Sequence, residues 1–219
     1  MPTVRSIQIN DSNYETVYTF MQKYTAERTH NDPDYIITTT HQPIYTMGPS
    51  SSDSDILIHN AKAPFFKTNR GGKITFHGPG QLVIYTLFDL RRMKIQVHQL
   101  IDILEQSMLA LLASEQIKGY LDPNNRGVYH KQKKIASIGI RVSKGCTYHG
   151  IAINVNTELD YFAAINPCGL ENISMMNLSE ISNLSIQIIE QRYLSLFFEK
   201  LQLISSEPID ILPYSDKIL

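Results

Sequence analysis

The chain has 219 residues, of which 42% are apolar and 19% charged, and its formal net charge is −1. That length can bury a sizeable core and the composition is that of an ordinary globular protein, which predicts a single domain over residues 1–219. The balanced charge supplies no field for nucleic acid or a membrane surface, no apolar run is long enough to span a bilayer, and the N-terminus lacks a secretory signal, so the expected location is cytoplasmic.

Ser12 and Glu15 fit a capping box, and Tyr14, Val17, Phe20, Met21 and Tyr24 keep helical spacing behind it. Strand-like runs follow at 35–40 and 44–47, and then 48–55, rich in turn formers, reads as a mobile surface loop. Further strands are expected at 73–77 and 81–90. The run 82–88 is apolar almost throughout, which suits a central strand covered on both faces. The strongest helix spans about 97–117, with Val97, Leu100, Ile101, Leu104, Met108, Leu111 and Leu112 on its apolar face and Gly119 as its stop. Strands at 127–130, 134–142 and 147–156 read as consecutive hairpins. One turn is at Ser143, Lys144, Gly145 and Cys146, while the 130–133 turn has no glycine to help it. A last helix covers about 186–203, with Ile189, Tyr193, Leu196, Phe197 and Leu201 on one side. Strands grouped apart from long helices give an α+β class, a mixed and largely antiparallel sheet flanked by helices.

Four segments could carry chemistry. Between Arg70 and Gln81 lie four glycines and a proline, a composition that lets backbone approach a ligand and leaves N–H groups free. The spacing is neither a phosphate-binding Gly-Lys-Ser/Thr loop nor a dinucleotide fingerprint, and two tight turns around a hairpin would explain it as well. His77 and His149 each stand before a glycine at a strand position; with no third ligand at short spacing, metal binding is not expected. Lys134 opens the apolar stretch 135–140, although Lys131, Lys133 and Lys134 also read as a basic turn, and alternation alone does not choose between Lys133 and Lys134. Cys168 sits between Pro167 and Gly169 in a bracket that can hold a thiol in place; a thiol beside a lysine ammonium would be activated as a nucleophile, and a buried inert cysteine is the plain alternative. Cys146 reads as inert, and no Cys-x-x-Cys spacing suggests zinc.

These residues occur in four blocks: 70–85, 134–141, 148–156 and 165–169. In order and spacing they resemble the lipoyl(octanoyl) transferases of lipoate biosynthesis. The resemblance runs from about Tyr14 to about Leu178 and implies the biotinyl/lipoyl ligase fold. It implies transfer of an octanoyl group from octanoyl-acyl carrier protein to a lysine of a lipoyl domain, without ATP or any cofactor. The acceptors implied are the lipoyl domains of 2-oxoacid dehydrogenase complexes and the glycine cleavage H protein, with no nucleic acid and no membrane as partner. Cys168 matches the family's acyl-carrying nucleophile and Lys134 the lysine that tunes its thiol. Arg70, Gly71, Gly72, Lys73, Ile74, Thr75, Phe76 and His77 match the segments lining the acyl pocket, as do Ser137, Ile138, Gly139, His149, Gly150, Ile151 and Ala152. Thr86, the glycine-free 130–133 turn, Gly48 to Ser50 and the residues after Gly169 depart from the family's usual pattern. Acidic carriers would favour a basic rim, for which Arg91, Arg92, Lys94, Arg141 and Lys144 are candidates. An ATP-dependent ligase of the same fold, a binding module without activity, and a thiol hydrolase are the alternatives.

Overall fold

The computed structural model describes residues 2–59, 61–167, 174–205 and 208–212. In chain order the elements are β1 (Thr3–Ser12), α1 (Tyr14–Glu27), β2 (Asp34–His41), β3 (Ile44–Met47), β4 (Phe65–Lys67), β5 (Ile74–His77) and β6 (Gln81–Leu87). There follow α2 (Leu90–Met93), α3 (Val97–Ser114), β7 (Tyr120–Leu121), β8 (Gly127–His130), β9 (Lys133–Ser143) and β10 (Cys146–Asn154). The described chain finishes with β11 (Ser174–Met175), α4 (Ile186–Ile204) and β12 (Asp210–Leu212).

The main sheet runs β12-β1-β2-β6-β10-β9-β8-β7, with β11 beside β9. Pairings from β2 through β6, β10, β9 and β8 to β7 are antiparallel, whereas β1 is parallel to both β2 and β12. This is the expected mixed, largely antiparallel sheet. As its apolar run predicts, β6 is covered on both faces. Leu82 and Ile84 join the core beneath α3 and α4, while Val83, Tyr85 and Leu87 join the core beneath α1. A small sheet, β4-β3-β5, has its own core of Tyr45, Ile74, Phe76, Phe162 and Ile165.

Several boundaries move for local reasons. Strand β1 occupies the stretch expected to cap the first helix. Ser12 ends it, and Asn13 is the cap, its Oδ1 accepting from Thr16 N at 3.1 Å. Strand β6 stops at Leu87 because the Asp89 carboxylate caps α2, accepting from the backbone of Arg91 and Arg92. Helix α3 ends at Ser114, not at Gly119: Gln116 takes the left-handed conformation at φ 60°. Among the described residues no helix is long and apolar enough to cross a membrane.

Candidate active site

The sheet pattern brings three of the four motif blocks together around a cavity of about 390 Å³. One wall is Arg70 to Thr75 and His77; β9 gives Lys134 and Ser137 to Ile140; β10 gives His149 to Ala152. Every described residue expected in the acyl pocket lines it except Phe76. Phe76 belongs to the core of the small sheet, where its ring stacks on Tyr161 at 4.3 Å between centroids. The reason is strand alternation: in β5, His77 faces the cavity and its neighbour faces away.

The loop after Arg70 and strand β9 meet through backbone. Gly71 N donates to Ile140 O at 3.2 Å. A Cβ on Gly139 would stand 2.7 Å from Gly71 O, so a side chain there would push the Arg70 loop off β9. Arg70 is itself buried, and its guanidinium donates to Thr46 O, Thr46 Oγ1 and Gly71 O.

Lys134 is only 1% exposed. Its Nζ donates to Asn125 Oδ1 at 3.1 Å and lies 5.4 Å from the centre of the Tyr129 ring. A β-bulge aims it: Val128 pairs with Ala136 and Tyr129 with Lys134, so Ile135 is an extra residue. Gly127, at φ 140°, makes room, since a Cβ there would fall 2.4 Å from Lys134 Cε. Lys133, the rival from alternation, is exposed.

An aromatic cluster adjoins the same cavity: Tyr14, His77, Tyr85 and His149 line it, and His41 packs against Tyr14 and His77. Gln81 donates from Nε2 to Phe76 O and Asn154 Oδ1, so its Oε1 must accept from His77 Nδ1 at 2.7 Å, which leaves His77 Nε2 as an acceptor. His41 Nδ1 lies 2.8 Å from Ser12 Oγ and 3.2 Å from Ser12 O, and its Nε2 shares a hydrogen bond of 2.7 Å with Tyr85 OH. His149 Nε2 donates to Asn69 Oδ1 at 3.2 Å, and its Nδ1 is buried without a partner. Burial holds all three rings neutral: His41 is pushed down to about 4, His149 to about 3, and His77, also near His41 and Arg70, well below its usual value. His149 adopts φ 64°, an uncommon conformation for a residue with a side chain and one that clusters at functional sites. Burial also pushes Tyr14, which lines the cavity, up to about 12.

Sequence reasoning missed Tyr14, His41, Gln81, Glu105 and Asn125. Tyr14, His41 and Glu105 lie outside the motif blocks, and Gln81 ends the glycine-rich segment without a role read from it; Asn125 sits in an Asp-Pro-Asn-Asn run that reads only as a turn. Cys168, the expected nucleophile, and Gly169 lie outside the described residues. The chain leading to them is anchored: Asn166 N donates to Asp55 O at 2.8 Å, and the Asp55 carboxylate pairs with Lys73 at 3.1 Å. Cys146 carries a free thiol that burial pushes up. Of the basic-rim candidates, Arg92 is internal, its guanidinium 2.7 Å from the Asp34 carboxylate, whereas Arg91, Lys94, Arg141 and Lys144 are exposed.

The family model of the lipoyl protein ligase A/B catalytic domain matches residues 13–198. An octanoyltransferase of Shewanella sp. (strain ANA-3) is 40% identical over 179 residues, covering 82% of each chain. An octanoyltransferase of Cellvibrio japonicus is 39% identical over 181 residues, 83% of this chain and 84% of that one. In fold, the chain is similar to a bipartite lipoate protein ligase from Thermoplasma acidophilum, with a TM-score of 0.77, 13% identity and coverage of 99% and 89% of the two chains. It is also similar to a biotin protein ligase from Aquifex aeolicus, with a TM-score of 0.56, 15% identity and coverage of 94% and 73%.

Proposed function

The chain belongs to the octanoyltransferases of the lipoyl protein ligase A/B catalytic family, and on that premise we propose that it moves an octanoyl group from octanoyl-acyl carrier protein to a lysine of a lipoyl domain through a thioester on Cys168. The observation that carries this reading is Lys134: a lysine buried to 1% exposure, aimed by a bulge at a cavity whose lining includes glycine backbone, isoleucines, two neutral histidines and the buried Arg70.

In the first half-reaction the Cys168 thiolate attacks the thioester carbonyl. The tetrahedral intermediate expels the carrier thiolate, which takes a proton. In the second, the acceptor amine attacks the Cys168 thioester, an amide forms, the Cys168 thiolate leaves, and the amine gives up a proton. The two thioesters are close in energy, so the first exchange needs no ATP. The Lys134 ammonium favours the thiolate and can carry the proton between halves. A cavity of about 390 Å³ lies in the range of small-molecule sites. Each methylene buried there contributes about 0.8 kcal/mol, so cavity depth can select chain length. The neutral histidines add no charge to the cationic side chains, Arg70, Lys73, Arg126 and Lys134, that line the cavity.

Intact mass spectrometry after mixing with octanoyl-acyl carrier protein tests the reading. An octanoyl adduct labile to hydroxylamine, mapped to Cys168 and lost in Cys168→Ser, supports it. A carrier left acylated with no adduct, or modification of a lipoyl domain only with free octanoate, ATP and magnesium, overturns it.

A further inference from the structure

We propose that Asn125 is a catalytic residue of this transfer, its side-chain Nδ2 donating a hydrogen bond to the acyl oxygen as that oxygen becomes negative in the tetrahedral intermediate. The proposal rests on the acyl-thioester reading above.

Asn125 lines the cavity and is 8% exposed. An ammonium has donors and no acceptor, so the contact with Lys134 Nζ fixes which way the amide faces: Oδ1 toward the lysine, Nδ2 away. Nδ2 is then buried with neither hydrogen met by the protein. Such a group costs about 1–3 kcal/mol, and native structures keep few of them. Of the described cavity-lining residues, two hold a buried side-chain atom without a partner, Asn125 Nδ2 and His149 Nδ1. With Nε2–H spent on Asn69, His149 Nδ1 is an acceptor and would repel an oxyanion. Asn125 Nδ2 is a donor and would attract one.

The distance to Lys134 is compatible with that role. The amide's bond lengths, added to the 3.1 Å contact, place Nδ2 within about 6 Å of the lysine nitrogen. On the acyl-thioester reading, which puts the reacting sulfur beside that ammonium, its carbonyl would come within reach of the amide. The donor is held before any substrate arrives, which is what gives an oxyanion site its effect. Asn125 N donates to Asp122 O at 3.3 Å, and Asn125 O accepts from Tyr129 OH at 2.9 Å. On its C-terminal side, buried Glu105 accepts from Arg126 Nη1 at 2.8 Å and from Gly127 N at 3.3 Å.

Two reagents for the same thiol separate this role from mere support of Lys134. Octanoyl-N-acetylcysteamine acylates the thiol through an oxyanion. Iodoacetamide alkylates it at saturated carbon without one. Both rates are read by mass spectrometry at Cys168 in wild type, Asn125→Ala and Asn125→Ser, with thermal melts to confirm folding; the serine variant keeps a polar group should alanine not fold. The expected result is acylation slowed by roughly 10²–10³-fold relative to alkylation. Acylation and alkylation falling together would make Asn125 a support for Lys134 only, and an unchanged acylation rate would give it no role; either overturns the proposal. Wild type that alkylates at Cys168 but never acylates would instead sink the acyl-thioester reading and this one with it.

Discussion

The two walls of the cavity bury polar groups in opposite ways. Around β8 and β9, Lys134, Asn125, Arg126 and Glu105 are held to one another by directed hydrogen bonds and an ion pair. Across from them, His41, His77 and His149 lie deep among Tyr14, Tyr18 and Tyr85, and burial strips them of charge. Desolvation acts on both walls; what differs is whether acceptors were built in for the cation. On the proposed function, one wall would steer protons and negative charge while the other would take the hydrocarbon chain.

The largest expected effect comes from removing the ammonium. Lys134→Ala should lower single-turnover acyl transfer by roughly 10²–10⁴-fold, while Lys134→Arg separates charge from proton transfer. Near-normal turnover in the arginine variant would mean that charge alone suffices. Turnover retained in Lys134→Ala would end the distinction between the walls.

Acid should attack the other wall. The native histidines bind no proton until about pH 4 for His41 and about pH 3 for His149. The unfolded chain takes those protons near pH 6.5, so stability falls as pH drops below that value and keeps falling toward the native values. At pH 5 the loss is on the order of 2 kcal/mol for each of the two. Urea unfolding at pH 7 and pH 5 measures it, and His149→Asn should shrink the difference. Equal stability at both values would contradict a neutral wall.

The smallest effect is at the far end of the lysine's hairpin. Lys131 and Gln132 both have positive φ, 45° and 65°, without a glycine. Gln132→Gly should stabilise the fold by about 1 kcal/mol, raising Tm by roughly 2–4 °C with turnover unchanged. A change in turnover would show that the turn and the lysine are coupled.

Much of the architecture could be read from periodicity. Helices α3 and α4 and the doubly covered β6 follow directly from where their apolar residues fall. Periodicity does not reveal β1, because Arg5, Gln8 and Asn10 break up its apolar positions and Ser12 imitates a helix cap. The choice of Lys134 over Lys133 could not come from alternation, because the bulge at Ile135 resets it. Phe76 misled because a motif is contiguous in sequence while a strand divides its residues between two faces. Asn125 was hidden in a turn whose composition speaks of backbone shape. Its contact with Lys134 exists only because β8 and β9 fold back on each other.

The meeting of Gly71 with Gly139 bears on how this enzyme could be altered by mutation. Where backbone lies against backbone, no side chain is present to trim, so the seam permits only additions. Every substitution there inserts bulk into the join; none can enlarge the cavity. If octanoyl occupies the space, variants accepting longer chains would have to arise elsewhere, at Ile138, Ile140 or Ile151, whose side chains line the same cavity and can be shortened. Change at the glycines would run in one direction, toward shorter cargo or a loop forced off its strand.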